Sequence, residues 1–249
     1  MSYGVFLSAA GADVQTKRVQ VLSNNLANVD TAGFKRDLAI LQARHSEAIE
    51  QGYDSSGSRS VNDVGGGVFL DEVATDFSPG RMNRTGLPSD LAIEGEGFFV
   101  VRKDNQPMLT RAGNFTVAAN GQLVTQNGEP VLTQDGQPVV INPQLPWTVG
   151  QGGVISQAGN QIPLAVVKPA SLGDLVKVGD NMFRPLAPTV PVPPGSRNVR
   201  AGFLEMSGVQ PTTAMMELIE ASRAFEANVK MIQHQDQMSG ALVTRLLRT

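Results

Sequence analysis

Apolar and polar residues recur with two different periods along this chain. Near the C-terminal end, Met215, Leu218, Ser222, Phe225, Val229, Ile232, Asp236, Ser239, Val243 and Leu246 follow one another at spacings of three and four. That is the a/d repeat of a coiled coil. It predicts one long helix from about Thr213 to Leu246, roughly 50 Å at 1.5 Å per residue. Thr212 or Thr213 is placed to cap its start. Pro211 precedes them, where a helix has no need of the N–H that proline lacks. Arg245 and Arg248 lie near the last carbonyls, where positive charge is favoured. The seam is apolar at Phe225, Val229 and Ile232 but polar at Ser222, Asp236 and Ser239, which weakens pairing while fixing register and partner. A helix of this length needs a partner, from its own chain or from neighbouring copies. The plainer reading is a surface helix with one amphipathic stripe.

Residues 5 to 28 repeat the pattern more thinly. Leu7, Val14, Val21 and Asn28 recur every seven residues, with Ala10 and Asn25 on the same side. The start is crowded with small residues, from Ser8 to Ala12, and a Gly- and Ala-rich start frays in isolation. Asn24, Asn25 and Asn28 can bond side chain to backbone at the helix end, closing the turn at Gly33. The cluster Asp30-Thr31-Ala32-Gly33 ends the helix. Leu38, Ile40, Leu41, Ala43 and Ile49 suggest a second, short helix. Gln51 to Gly67, with Ser55-Ser56-Gly57-Ser58 and Gly65-Gly66-Gly67, is an irregular connection, and Val68 to Phe77 is extended.

From about Leu91 to Phe203 the period drops to two. Gly97-Phe98-Phe99-Val100-Val101 composes a buried strand. Asn120-Gly121, Asn127-Gly128 and Asp135-Gly136 separate short apolar runs, as hairpin turns do. Ile162 to Val167 and Met182 to Arg184 add strands, whereas Pro185 to Pro194 is too rich in proline for anything but a loop or an edge. The chain is therefore read as α+β: N- and C-terminal helices paired as a coiled-coil-like stalk, with an inserted, mainly antiparallel β domain. The expected segments are 1–36 with 205–249 for the helices, 37–88 for the connection and 89–204 for the β domain.

Composition narrows the function classes. There is no cysteine among the 249 residues, so disulfides and thiolate metal sites are excluded. A formal charge of -3 argues against nucleic-acid binding as the main role. No run of 18 apolar residues exists to span a membrane, and Met1 to Ala10 lacks the charged start and apolar core of a secretory signal. The chain is expected to be cytosolic or to leave the cell by a route that needs no such signal.

Candidate chemistry is sparse. His45 and His234 stand in separate regions outside any ligand spacing. Asp90, Glu94 and Glu96 flank the strand at Phe98 and read as a solvated rim, lacking a second group that would perturb them. Gly65-Gly66-Gly67 and Gly95-Glu96-Gly97 lack the lysine-serine pair and the strand-to-helix turn of a phosphate loop. No catalytic residue, cofactor or metal ligand is assigned, and the chain is not read as an enzyme.

Four stretches together resemble the bacterial flagellar basal-body rod and hook family. Ser23-Asn24-Asn25-Leu26-Ala27-Asn28-Val29-Asp30-Thr31-Ala32-Gly33-Phe34-Lys35-Arg36 is similar to its N-terminal signature. Asp90 to Phe99 is similar to the entry into its β domain. Leu109-Thr110-Arg111-Ala112-Gly113-Asn114-Phe115, with Asn120-Gly121 and Leu123-Val124, is the third, and Gly202 to Ser207 with Val209, leading into Met216 to Met238, the fourth. The resemblance spans nearly the whole chain.

It implies a structural subunit, exported without a cleaved signal peptide through the flagellum's own type III apparatus. Such subunits polymerise helically into a hollow drive shaft that crosses the periplasm and carries torque from motor to hook. Terminal helices line the inner layer and β domains lie outside. Length and a single β domain point to the rod over the hook, and the stretch from Gln51 to Gly67 favours the proximal over the distal rod. The implied partners are copies of itself, other rod subunits and the export apparatus, with no nucleic acid and no membrane span. The implied assembly residues are Asn24, Asn25, Leu26, Asn28, Gly33 and Phe34 of the first motif, and Leu218, Phe225, Val229 and Ile232 of the last helix. The alternative is a coiled-coil dimer whose β domain binds a ligand without catalysis.

Overall fold

The computed structural model describes residues 3–55, 57–58, 60 and 65–246. Arg248, expected beside the last carbonyls, and Ser56 of the serine-rich loop lie outside them. The chain forms two compact units. One holds the N-terminal helix Tyr3–Ala27, the segment Asp37–Asp76 and the C-terminal helix Pro211–Leu246; the other holds Asn28–Arg36 and Phe77–Val209. These limits differ from the breaks expected at 36, 88 and 204.

In the helical unit the two helices pack against each other, antiparallel. A methyl group added at Gly4 would come within 2.7 Å of the Gln235 amide, and one added at Gly11 within 3.0 Å of Asn228 Oδ1. Seven residues up one helix thus match seven residues down the other. The same step sets Arg18 level with Ala221, and Asn25 level with Ala214. Ala221, Asn25 and Ala214 are all buried. This row alternates small against large: glycine faces an amide on two levels, and alanine faces Arg18 and Asn25 on the next two. The second row sets Leu7 level with Ile232, Val14 with Phe225 and Val21 with Leu218.

The expected seam is therefore half right. Leu218, Phe225 and Ile232 belong to it, but Met215, Ser222, Val229 and Asp236 give way to Ala214, Ala221, Asn228 and Gln235, one residue earlier. Met215 is 51% exposed and Asp236 is exposed. A count of bulky apolar residues misses a seam built from alanine and amides, which lets the backbones come close. The cap differs too. The helix starts at Pro211 itself, with Ala214 N–H donating to Gln210 O at 2.9 Å. Thr212 and Thr213 lie inside the first turn.

The segment after the motif forms strands where a second helix was expected. Asp37–Arg44 pairs antiparallel with Gly67–Thr75, and only Glu47–Glu50 is helical. The register shifts between Ile40 and Leu41, and this bulge breaks the period of two that would have revealed a strand. The expected extended stretch from Val68 falls on its second strand. Gly67 lies against Leu7 and Ala10, so the hairpin packs on the N-terminal helix.

The other unit is built on a six-stranded antiparallel sheet. Its order is Leu175–Gly179, Met182–Pro185, Gln106–Thr110, Phe98–Lys103, Val166–Pro169 and Thr189–Pro191. Phe99 and Val101 enter one core with Leu91, Phe115 and Ile155, while Phe98 and Val100 enter another with Leu109 and Phe183. Both faces are covered, hence the unbroken apolar run. The proline-rich stretch supplies the edge strand Thr189–Pro191, as its composition predicts. Thr116–Val117 pairs with Leu123–Val124 around Asn120-Gly121. There only Gly121 takes a positive φ, within a loop closed by Gly121 N–H to Ala118 O. The tight two-residue hairpins among the described residues are instead Asp104-Asn105, Ala158-Gly159 and Asp180-Asn181, with all six residues at φ between 49° and 86°. The sequence reading passed over all three.

Candidate assembly interface

The first motif leaves the N-terminal helix and enters the β unit. Asn25, at the end of the helix, is 4% exposed. Its side chain does not close the turn at Gly33. Asn25 Nδ2 donates to Asp37 O at 2.7 Å and Oδ1 accepts from Asp37 N–H at 2.9 Å, so it holds the first residue of the hairpin by both backbone groups. Asn28 Oδ1 accepts from Thr31 Oγ1 at 3.2 Å and Thr31 N–H donates to Asn28 O, which turns the chain. Asn24 is exposed and Leu26 half-buried.

Gly33 and Phe34 are buried within the β unit. Gly33 has φ +68°, and a Cβ there would stand 2.4 Å from Arg111 C and 2.5 Å from Ala112 N. Its N–H donates to Glu205 O at 2.7 Å. Phe34 O accepts from Gly208 N–H at 2.9 Å, and Lys177 Nζ lies 4.0 Å from the centre of the Phe34 ring. Lys177 also donates to Lys35 O, and Asn181 Nδ2 to Ala32 O. The motif is thus gripped by residues from three distant parts of the chain.

Under it lies a buried ionic cluster. Lys35 Nζ donates to Glu205 Oε1 at 2.7 Å and to Ser78 O at 2.9 Å, and both charged side chains are 2% exposed. Gly80 N–H donates to the same Oε1 at 2.8 Å. Arg111 Nη1 reaches Glu205 Oε2 at 3.3 Å and Ile93 O at 3.0 Å. Burial draws the Arg111 guanidinium below its ordinary pKa, and the Glu205 carboxylate opposes that shift. Two cations share one carboxylate whose two oxygens are both engaged, the condition under which a buried charge is tolerated. Lys35 stands near the end of the motif read from sequence, but nothing local links it to Glu205, 170 residues away.

Of the residues expected on the last helix, Leu218, Val229 and Ile232 are half-buried and Phe225 is 37% exposed. Of the three acidic residues read as a solvated rim, Asp90 is buried at 5% exposure, and the other two pair with cations. Glu94 pairs with Arg200 at 2.7 Å and Glu96 pairs with Lys168, which lowers the Glu96 pKa. His45 and His234 are exposed. Among the described residues no three acidic or histidine side chains gather where they could hold a metal ion, and no helix is long and apolar enough to cross a membrane.

Three stretches match known families. Residues 9–35 match the family described as "Flagella basal body rod protein", 92–158 "Flagellar hook protein FlgE/F/G D1 domain", and 200–245 "Flagellar basal body rod FlgEFG protein C-terminal". The chain is 36% identical over 232 residues to the flagellar basal-body rod protein FlgF of Caulobacter vibrioides, covering 92% of each. It is 33% identical to the FlgG of Bacillus subtilis, covering 92% of this chain and 93% of the other. With the FlgG of Borreliella burgdorferi it shares 31%, over 96% of this chain and 97% of the other.

Proposed function

The chain belongs to the flagellar basal-body rod protein family, and on that premise we propose that its paired terminal helices carry the contacts through which subunits polymerise. It is a structural subunit of the rod at the flagellar basal body, and not an enzyme. The observation that carries the proposal is the outward face of the C-terminal helix. With its inner face packed on the N-terminal helix, that helix still exposes Met216, Met231 and Met238 along its length, and Leu242 where it runs past the N-terminal helix, each more than half. A row of large apolar side chains along one helix marks an interaction surface.

Leu218, Phe225, Val229 and Ile232 border this surface and contribute through the flank of the helix pair. Asn25, Gly33 and Phe34 act indirectly, by fixing where the N-terminal helix ends and where the chain joins the β unit. The partners are other rod subunits, and the polymer is the hollow shaft that passes torque to the hook. Within the rod we assign the proximal position expected from the 51–67 stretch. Identity to the FlgF-named relative above that to the two FlgG-named ones supports a subunit of the first kind. Export through the flagellar type III channel requires an unfolded chain, and one without cysteine has no crosslink to undo.

Met231→Glu in cells lacking the native copy tests the reading. Met231 is 52% exposed, so the purified variant should melt with the wild type. Motility and incorporation into isolated basal bodies should be lost. Normal motility with normal rods would overturn the proposal.

A further inference from the structure

The helix register leaves one end of the C-terminal helix uncovered. Gly4 lies level with Gln235 and Gly11 with Asn228, so Tyr3, where the N-terminal helix begins, is level with Asp236. The C-terminal helix runs on to Leu246, about ten residues or roughly 15 Å further. Residues 236–245 are all exposed, and a methyl group added at Gly240 would meet nothing within 4 Å. On this overhang Met238 and Leu242 are 60% and 62% exposed. With Arg245 they form one patch at spacings of four and three, past the point where the N-terminal helix begins.

The opening turns of the same helix carry a matching patch. Met216 is 67% and Ile219 51% exposed, and Glu220 is exposed beside them. Met216, Ile219 and Glu220, at spacings of three and four, form this patch on the side of the helix turned from the N-terminal helix. Arg223 and Lys230 break that face between the patches. They would repel Arg245, so Glu220 is the carboxylate on this face that can receive it. Methionine at both ends suits a contact that must adapt its shape.

We propose that the overhang of one copy docks, parallel, on the opening turns of the C-terminal helix of a second copy, with Arg245 against Glu220 and Met238 and Leu242 against Met216 and Ile219. This rests on the polymer reading above and specifies its partner and register. The copies are displaced along the helix by about 23 residues, roughly 35 Å. Different patches meet, so the contact is head-to-tail, and head-to-tail contacts that do not close build open helical assemblies.

The cysteine-free chain allows a clean test. Full-length protein with Ile219→Cys and Leu242→Cys together, the pair that a displacement of about 23 residues sets face to face, is expressed in cells lacking the native copy. Isolated basal bodies and, separately, concentrated purified protein are then mildly oxidised. The double variant should give disulfide-linked dimers and larger multimers on a non-reducing gel, and neither single variant should give any. Dimers from either single variant would mean a symmetric contact and overturn the proposal, as would an uncrosslinked double variant in both preparations. Glu220→Arg should abolish motility without changing the melting of the purified protein, and adding Arg245→Glu should restore it; failure to restore also overturns the contact. Absence of the wild-type subunit from basal bodies would remove the rod reading itself, whereas its presence without crosslinks would remove only this contact.

Discussion

Gly33→Ala separates two costs that a glycine motif combines. At φ +68°, an alanine meets the left-handed penalty of about 1–2 kcal/mol. Its methyl would also stand 2.4 Å from Arg111 C and 2.5 Å from both Arg111 O and Ala112 N, against the roughly 3.5–4.0 Å of an ordinary carbon contact. That overlap falls on backbone, which cannot rotate away. The 111–113 segment is itself tied down, since Gly113 O accepts Leu91 N–H at 2.9 Å. Forcing a group into such a space costs about 1–3 kcal/mol, for a total of about 2–5 kcal/mol. Gly128→Ala is the matched control. Gly128 has φ +92° and open space within 4 Å, so it carries only the conformational part. Both substitutions make the unfolded chain equally stiffer, and that contribution cancels between them. Trp147, the single tryptophan, packs against the larger β core, and its fluorescence reports urea unfolding of this unit. The Gly33 variant should unfold at lower urea than the Gly128 variant, by the equivalent of about 1–3 kcal/mol. Coincident curves would show that the close approach to Arg111 is not what keeps glycine there.

Lys35→Met leaves the buried Glu205 with Arg111 and a backbone N–H; breaking a buried pair costs about 3–5 kcal/mol, and the loss should appear in the Trp147 unfolding curve. Asn25→Ala removes two hydrogen bonds to the Asp37 backbone, a loss of about 0.5–1.5 kcal/mol each, and amide exchange in Asp37–Arg44 should quicken while Trp147 unfolding stays unchanged. Phe225→Ala should lower helix melting by less than the roughly 3–5 kcal/mol of a fully buried phenylalanine, leave Trp147 unfolding unchanged, and abolish motility; a motile cell carrying a strongly destabilised protein would assign Phe225 to the monomer's core alone.

What the sequence made legible follows the range of each interaction. The end of the N-terminal helix, the buried strand at Phe98 and the edge at Pro185 to Pro194 are set by neighbours within a few residues. The strand Asp37–Arg44 looked helical because the bulge after Ile40 places Ile40 and Leu41 side by side, and an apolar run of that length fits both periods. The need for glycine at position 33 was legible, but its cause was not. The turn is only part of it, and the rest is the backbone of Arg111, nearly 80 residues on. The Lys35–Glu205–Arg111 cluster left one trace, a charge within each of two otherwise apolar stretches, Gly33-Phe34-Lys35 and Phe203-Leu204-Glu205. Nothing in that trace says the charges meet.

The chain uses its apolar side chains in an order that suits a subunit better than a solitary protein. A monomer built for stability would place its largest apolar residues between its two helices. Here one row of that seam is Gly4, Gly11, Arg18 and Asn25 against Gln235, Asn228, Ala221 and Ala214. Among the described residues no protein group bonds the buried Oε1 of Gln15 or of Gln235, and an unbonded buried polar atom costs about 1–3 kcal/mol. Shape and polarity in such a seam select one register, because a shift of one level would set Arg18 against Asn228 in place of Ala221. Meanwhile Met216, Met231, Met238 and Leu242 stay outside, where each can contribute on the order of 1.5–3 kcal/mol when a neighbour covers it fully. The intramolecular pair is specified by fit in this row and by apolar packing in the other, and a further hydrophobic gain is held back for the contact that forms only in the polymer.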